Sequence, residues 1–357
     1  MLTTGDRLAL LMHGHLLPGP GSQGKLGHGL LRYATTPISA VIDVEYAGRT
    51  ARSVTGITCD TPIVATVAEA VALGANTIVP GIAPPGGVLP TAWIIEVQEA
   101  LKAKCNLING LHKPMATDSL FTQYLGCDNW IWDIRKEPAG CRSGTGAASR
   151  LTIPRVLTVG TDMAIGKMTV SLEAHMAALR LGLRSEFLAT GQIGICISGK
   201  GVPLDAVRID FGPGSIEQLV LDHAPNKDVL WIEGQGSIVH PASTAWLALL
   251  RGAAPTHLIL CHRAGQTTLA RHPDVTIPDL KSVIRMYEEC ASAAGALARP
   301  STIAVALNTS MLTDTEARAC LANVTQQTGL VSTDPVRFGG DVLVQAVMKG
   351  LTPSCYQ

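Results

Sequence analysis

Ten residues, Gly160-Thr-Asp-Met-Ala-Ile-Gly-Lys-Met-Thr169, stand between the apolar run Val156-Leu-Thr-Val159 and a helical pattern that opens near Val170. A strand that ends in a glycine-bearing turn and feeds a helix leaves the first N–H groups of that helix unpaired and aimed at one spot. A lysine there adds a point charge to the positive end of the helix dipole. Strand, loop, lysine and helix follow in the order that a phosphate-cradling loop requires, so the expected ligand is a polyphosphate. The same order calls for a doubly wound sheet, in which ligands bind at the carboxyl ends of the strands.

The loop departs from the standard G-x-x-x-x-G-K-[ST] pattern at two places. Gly160 comes one position early, with Thr161 where the first glycine is expected, and Met168 takes the position of the Mg²⁺-binding hydroxyl, with Thr169 one residue late. A thioether is a poor ligand for a hard cation. Either Thr169, Asp162 or a later carboxylate therefore holds a metal, or the bound group needs none. Gly160, Thr161, Asp162, Ala164, Ile165, Gly166, Lys167, Met168 and Thr169 are the candidate cofactor-binding residues.

A chain of 357 residues is long for one core and suggests two domains. With 46% hydrophobic and 16% charged residues a large core is expected and long disordered tails are not. A formal net charge of zero removes the electrostatic case for nucleic acid or an anionic membrane as partner. The apolar stretch after Arg7 is broken by His13, Gly14 and His15, too short for a signal peptide or a spanning helix, and a cytoplasmic protein is expected. Nine cysteines without a C-x-x-C pair are expected to be buried thiols, not a disulfide framework or a zinc site. His13 and His15 could present two ligands on one strand face, but no carboxylate or thiol is near in sequence. An uncharged chain with apolar helices is expected to form a homo-oligomer.

Short apolar runs alternate with helical segments in both halves, which implies parallel sheets covered by helices. In the first half Leu8–Met12, Ala40–Val44, Thr77–Pro80 and Cys105–Ile108 read as strands, and Val64–Leu73 and Thr91–Ala103 as helices. The small, polar, turn-rich stretch Glu137–Ser149 reads as a linker, which places a domain boundary at 148/149. In the second half Val156–Val159, Ser185–Thr190, Val229–Ile232, Leu258–Cys261 and Ile303–Leu307 read as strands. Each is followed by a polar cluster: the phosphate loop, Gly191-Gln192, Glu233-Gly-Gln-Gly-Ser237, His262-Arg263 and Asn308-Thr-Ser310. At the carboxyl edge of one sheet these clusters are expected to converge.

Glu233 stands where P-loop proteins often place an acid that holds Mg²⁺ or orients water, and it could be a metal ligand or a general base. Gly234 and Gly236 let a ligand approach the backbone. His240, further along, offers an imidazole that titrates near neutrality. Asn308 could read an adenine edge, and Arg263, with His262 beside it, suits a substrate carboxylate. Gln192 is a further polar candidate. In the first half Gly19-Pro-Gly-Ser-Gln-Gly24 is a literal G-x-G-x-x-G with Asp43 near the offset of a ribose-binding acid, although six residues part it from the strand.

The combination of Gly160–Thr169, Ala189-Thr-Gly-Gln-Ile-Gly194 and Glu233–Pro241 resembles a bacterial P-loop family of DgcN-like D-glutamate N-acetyltransferases. Gly24-Lys25 with Gly29-Leu-Leu-Arg32-Tyr, Ile42-Asp43, Gly81–Gly87, Asn109–His112 and Asp133-Ile-Arg135 look like that family's Rossmann-like first domain. The resemblance therefore covers nearly the whole chain, and it implies an α/β protein with a Rossmann-like parallel sheet over residues 1–148 and a P-loop NTPase-like doubly wound sheet over 149–357. It also implies transfer of an acetyl group from acetyl-CoA to the amine of an acidic amino acid. In that reading the base is Glu233 or His240, the N–H groups of Gly234 to Ser237 face the oxyanion, and Lys25, Arg32, Gln192, Gln235, Ser237, His262 and Arg263 bind the substrate. The P-loop half is similar as well to dethiobiotin synthetase, in which a glutamate like Glu233 binds magnesium. That likeness implies a competing reading, ATP-dependent carboxylate activation with Mg²⁺ held by Asp162, Thr169 and Glu233. A third is a nucleotide-binding regulator without turnover.

Overall fold

The computed structural model describes residues 2–17 and 22–349. It divides the chain into two compact units, one built from the residues up to Lys136 together with Gln192–Ala206, the other from Glu137–Gly191 and the residues from Val207 on.

The first unit holds a six-stranded sheet of β1 (Leu8–Leu11), β2 (Ile38–Ile42), β3 (Ile63–Val64), β4 (Thr77–Pro80), β5 (Asn106–Asn109) and β6 (Ile131–Asp133). All pairings are parallel and the order is β3-β2-β1-β4-β5-β6, the Rossmann order. Ala9, Leu11, Ile42, Ile78 and Leu107 meet the buried faces of helices Val67–Ala72 and Ile94–Lys102 in one apolar cluster. Helix Lys25–Tyr33 crosses β1 and β4 closely: the N–H of Gly27 donates to Gly81 O at 2.7 Å, and a side chain at 27 would meet Met12 Sδ at 2.1 Å. Helix Gln192–Ser198, which the chain reaches only later, packs on helix Lys25–Tyr33.

The second unit holds β7 (Arg155–Gly160), β8 (Ser185–Leu188), β9 (Val229–Ile232), β10 (His257–Arg263), β13 (Ser301–Asn308) and β14 (Val331–Thr333), all parallel, in the order β14-β13-β10-β7-β9-β8. A two-stranded antiparallel ribbon, β11 (Thr268–Leu269) and β12 (His272–Thr276), follows β10. Strands β7, β9 and β10 are apolar on both faces because helices cover both sides, hence their continuous hydrophobic runs. The chain leaves β7 with β9 on one flank and β10 on the other, so its carboxyl end is a topological switch point.

Several expectations need correction. Residues 137–149 are not a free linker, since Thr145 and Ala147 donate to the buried Glu217 carboxylate at 2.7–2.9 Å, and the units part at Lys136/Glu137. The stretch Val64–Leu73 splits into strand β3 and a helix capped by Thr66, whose hydroxyl accepts the Glu69 N–H. His262 and Arg263 end strand β10 instead of opening a loop. His13 and His15 lie in the turn after β1, where His13 Nε2 meets Glu96 at 3.0 Å. Of the eight described cysteines, all free, only Cys105, Cys196 and Cys261 are buried, and Cys127 is exposed. Gly19 and Gly21 of the first-half glycine motif, and Cys355, lie outside the described residues. Among the described residues no helix is long and apolar enough to cross a membrane.

Candidate functional site

The loop leaves β7 at Gly160 and enters helix Lys167–Arg180. Two residues in left-handed conformation shape it, Ala164 at φ +55° and Gly166 at φ +115°. Gly166 has no side chain to cap the helix, so the first-turn N–H groups stay open toward the loop. Gly160 makes the turn possible: a Cβ there would stand 2.9 Å from Ile165 Cδ1 and 3.2 Å from Lys167 Nζ. Lys167 is buried and donates to Asp162 O at 2.8 Å, which points its ammonium back across the loop. Burial lowers its pKa to about 8, against the opposing pull of Cys261, Asp162 and Glu233.

Asp162 anchors the loop. Oδ1 accepts the Met163 N–H at 2.6 Å, and Oδ2 accepts Gln266 Nε2 at 2.6 Å and the Ala270 N–H at 2.9 Å. Burial raises its pKa, but these donors outweigh burial and hold it below the usual range. Thr161 is buried with its hydroxyl 2.8 Å from His262 Nδ1, and burial pushes that imidazole down to about 4. Met168 and Thr169 are half-buried on the first helical turn.

Glu233 leaves β9 directly beside this loop, because Ile232 pairs with Leu157 of β7. Its buried Oε2 accepts the N–H groups of Thr190 at 2.9 Å and Gly191 at 3.1 Å, which tie the end of β8 to the end of β9. Burial raises its pKa to about 7, although these two donors, the Gln235 side chain and Lys167 all act to lower it. Gly234 has no alternative, since a Cβ would stand 1.7 Å from Thr158 O. Among the four N–H groups expected to face an oxyanion, Gly234 already donates to Thr158 Oγ1 at 3.0 Å and Ser237 to Ser243 Oγ at 3.0 Å. Those of Gln235 and Gly236 remain without a protein acceptor among the described residues. Ser237 itself is fully buried and its hydroxyl accepts the Val239 N–H at 3.2 Å, so it braces its own loop.

His240 is buried, its Nδ1 accepts the Ala242 N–H at 3.1 Å, and its ring stands edge-on to His272 with centroids 4.9 Å apart. Burial lowers its pKa, Asp162 raises it, and His272, Arg271 and Lys167 lower it further. Tyr287, fully buried on helix Leu280–Ser292, joins the two loops: its hydroxyl donates to Gly160 O at 2.8 Å and accepts the Ile238 N–H at 2.9 Å. On the other flank Arg263 is exposed with Nη2 3.4 Å from Ala164 O, and Asn308, paired with Arg263 in register, reaches Ile165 O at 3.5 Å.

The second unit thus gathers the phosphate loop, Glu233, Gln235, Ser237, His240, His262, Arg263 and Asn308 at one sheet edge. Lys25 and Arg32, both exposed on helix Lys25–Tyr33, and the half-buried Gln192 belong to the first unit. The sequence reading missed Gln266, Ala270, His272 and Tyr287. Gln266 follows the polar cluster after β10 and could have been noticed there. Tyr287 lies mid-helix with no local signal. Among the described residues no three His, Cys, Asp or Glu side chains gather as a metal site.

A P-loop at the switch point of a doubly wound sheet, in a chain with a second sheet of Rossmann order, defines a two-unit P-loop protein. Residues 142–344 match a family model described as a domain of unknown function, DUF1611_C P-loop domain, and residues 44–137 one described as the DUF1611_N Rossmann-like domain. The chain belongs to the DUF1611 family. It is similar to a protein named D-glutamate N-acetyltransferase from Pseudoalteromonas sp, 34% identical over 82% of this chain and 87% of that protein. It is similar to one of the same name from Tritonibacter scottomollicae, 37% identical over 79% of this chain and 84% of that protein. A crystal structure of a DUF1611 family protein from Anabaena variabilis ATCC 29413 superposes with a TM-score of 0.92 at 49% identity, covering 96% of this chain and 99% of that one.

Proposed function

We propose that this protein is an N-acetyltransferase that moves an acetyl group from acetyl-CoA to the amine of an acidic amino acid such as D-glutamate. The observation that carries the proposal is a phosphate loop with its lysine and open helix N-terminus in place, but with the Met168 thioether where a magnesium hydroxyl belongs. Such a loop suits the pyrophosphate of a CoA, whose phosphates are held and not cleaved. The names of the relatives support the acetyl transfer and its acceptor.

Gly160 to Thr169 would hold the diphosphate, with Lys167 as the point charge and Asn308 near the adenine. Acetyl-CoA supplies a thioester whose carbonyl carbon accepts the amine and whose thiolate leaves. The amine must first lose a proton, and Glu233 is the base. Its pKa of about 7 leaves an appreciable ionised fraction at neutral pH together with the capacity to keep a proton. His240 is unsuited to that role: Nδ1 accepts the Ala242 N–H, so the neutral ring carries its proton on Nε2 and presents a donor. His240 and the N–H groups of Gln235 and Gly236 are then the donors for developing negative charge. Arg263 would grip a substrate carboxylate.

One observation favours a second reading. Glu233 stands where a Mg²⁺-ATP enzyme places its acid, with Thr169 and Asp162 as the remaining ligands. The donors already on both Asp162 oxygens speak against it.

Calorimetric titration with acetyl-CoA and with ATP, each with Mg²⁺ and with chelator, tests the choice, followed by thiol release with D- and L-glutamate. Acetyl-CoA binding indifferent to Mg²⁺, lost in Lys167→Ala, with thiol release on adding D-glutamate, is the expected result. Mg²⁺-dependent ATP binding without an acetyl-CoA signal would move the protein to the ATP-using class. ATP binding without turnover would make it a regulator.

A further inference from the structure

The second unit has a cavity of about 690 Å³ at the end of the sheet opposite the phosphate loop. It opens at Arg155, the first residue of β7, whereas the phosphate loop begins at Gly160, the last. At roughly 3.3 Å per residue the two are separated by most of the strand's length. Leu250, Pro213, Pro255 and Leu297 give it apolar walls, and two guanidinium groups, Arg155 and Arg251, supply its charge.

Arg155 is buried, yet its acceptors are main-chain carbonyls alone: Ala253 O and Ala254 O from Nε at 3.2 and 2.9 Å, Leu151 O and Ile153 O from Nη1 at 2.7 and 3.0 Å. Nη2 has no protein acceptor among the described residues. Arg251 likewise bonds a carbonyl, Ala291 O, at 3.0 Å. No carboxylate lines the cavity. Glu217, which fixes Thr145 at the rim, has both oxygens engaged by Thr145 and Ala147. Carbonyls satisfy N–H groups but do not neutralise a charge. The C-terminus of helix Ala245–Ala253 offsets about half of one positive charge, and two whole charges are present. Burying an unpaired cation is costly, and an anion of the right shape removes the cost.

We infer that this cavity is a second ligand site, distinct from the phosphate loop, for a small organic anion with an apolar body, such as a medium-chain monocarboxylate. The carboxylate sits between Arg155 and Arg251, where Arg155 Nη2 and the Arg251 guanidinium donate to its oxygens, and the chain lies along the apolar walls. Its volume falls within the range of small-molecule sites.

Octanoate is the probe, with 1-octanol as its uncharged counterpart. Calorimetry on the whole chain, and on Lys167→Ala to silence the phosphate loop, should show one octanoate bound per chain in both. Arg251→Gln should weaken it at least tenfold, and Leu297→Trp, a change at a half-exposed wall residue, should abolish it by filling the space. Saturable binding absent from the whole chain, equal affinity for 1-octanol, loss in Lys167→Ala, or indifference to both cavity substitutions would each overturn the assignment.

Discussion

Glu233 keeps its proton in the folded protein up to about pH 7, whereas an unfolded chain releases it near 4.5. Between those values the folded state binds the extra proton, so raising the pH destabilises it. The contribution is complete below about 4.5 and is lost as pH rises through about 7. The span corresponds to about 3 kcal/mol. Glu233→Gln removes this titration while keeping most of the packing. The variant should therefore gain stability relative to the parent protein as pH is raised from 5 to 8, read as the difference in urea midpoints. A difference that does not change with pH would mean that Glu233 is ionised throughout, and its assignment as a near-neutral base would fall. His262 changes stability in the opposite sense, since its lowered pKa makes the folded state progressively more stable as pH rises from about 4 to 6.5; it is present in both proteins and cancels in the comparison.

Helix Leu280–Ser292 is hydrogen-bonded to the site through the Tyr287 hydroxyl, which binds the end of β7 and the loop after β9 together. Tyr287→Phe leaves Gly160 O and the Ile238 N–H without their partner and should cost about 1–3 kcal/mol of stability. Acetyl-CoA affinity should fall with it, because Gly160 opens the phosphate loop. An unchanged urea midpoint and unchanged affinity would show that the clamp is dispensable. Elements of this kind mark how far the amino-acid sequence can be read. The strands β7, β9 and β10 were legible because burial on both faces writes them as apolar runs, interrupted in β7 only by Thr158, and the loop at Gly160 was legible because its chemistry is contiguous. The ribbon β11 and β12 was not, since His272-Pro-Asp-Val-Thr276 is largely exposed and contains a proline. Yet that ribbon carries Ala270 and His272 to Asp162 and His240. Tyr287 reads locally as one more buried aromatic on a helix, and only the fold sets its hydroxyl on Gly160.

At the scale of the whole molecule, the unit boundary is not a single cut in the chain. Residues Gln192–Ala206 leave the second half of the sequence and complete the first unit. No composition shift announces this, because Gln192-Ile-Gly-Ile-Cys-Ile-Ser198 looks like any short buried helix. Its Ile195, Cys196 and Ile197 are buried, and it packs on helix Lys25–Tyr33. Arg135, near the end of the first stretch, also pairs with Asp205 of the inserted one. A fragment ending at Lys136 lacks this helix and leaves its partner face uncovered. Two large aliphatic side chains, at about 1.5–3 kcal/mol each, are removed from the apolar contacts of the fragment. Residues 1–136 alone should therefore melt at least about 10 °C below the same fragment joined through a glycine-serine linker to residues 192–206. Circular dichroism melts of the two proteins decide the point. Equal midpoints would mean that the inserted helix adds nothing to the first unit, and that the sheet β3-β2-β1-β4-β5-β6 with its own helices is sufficient to fold.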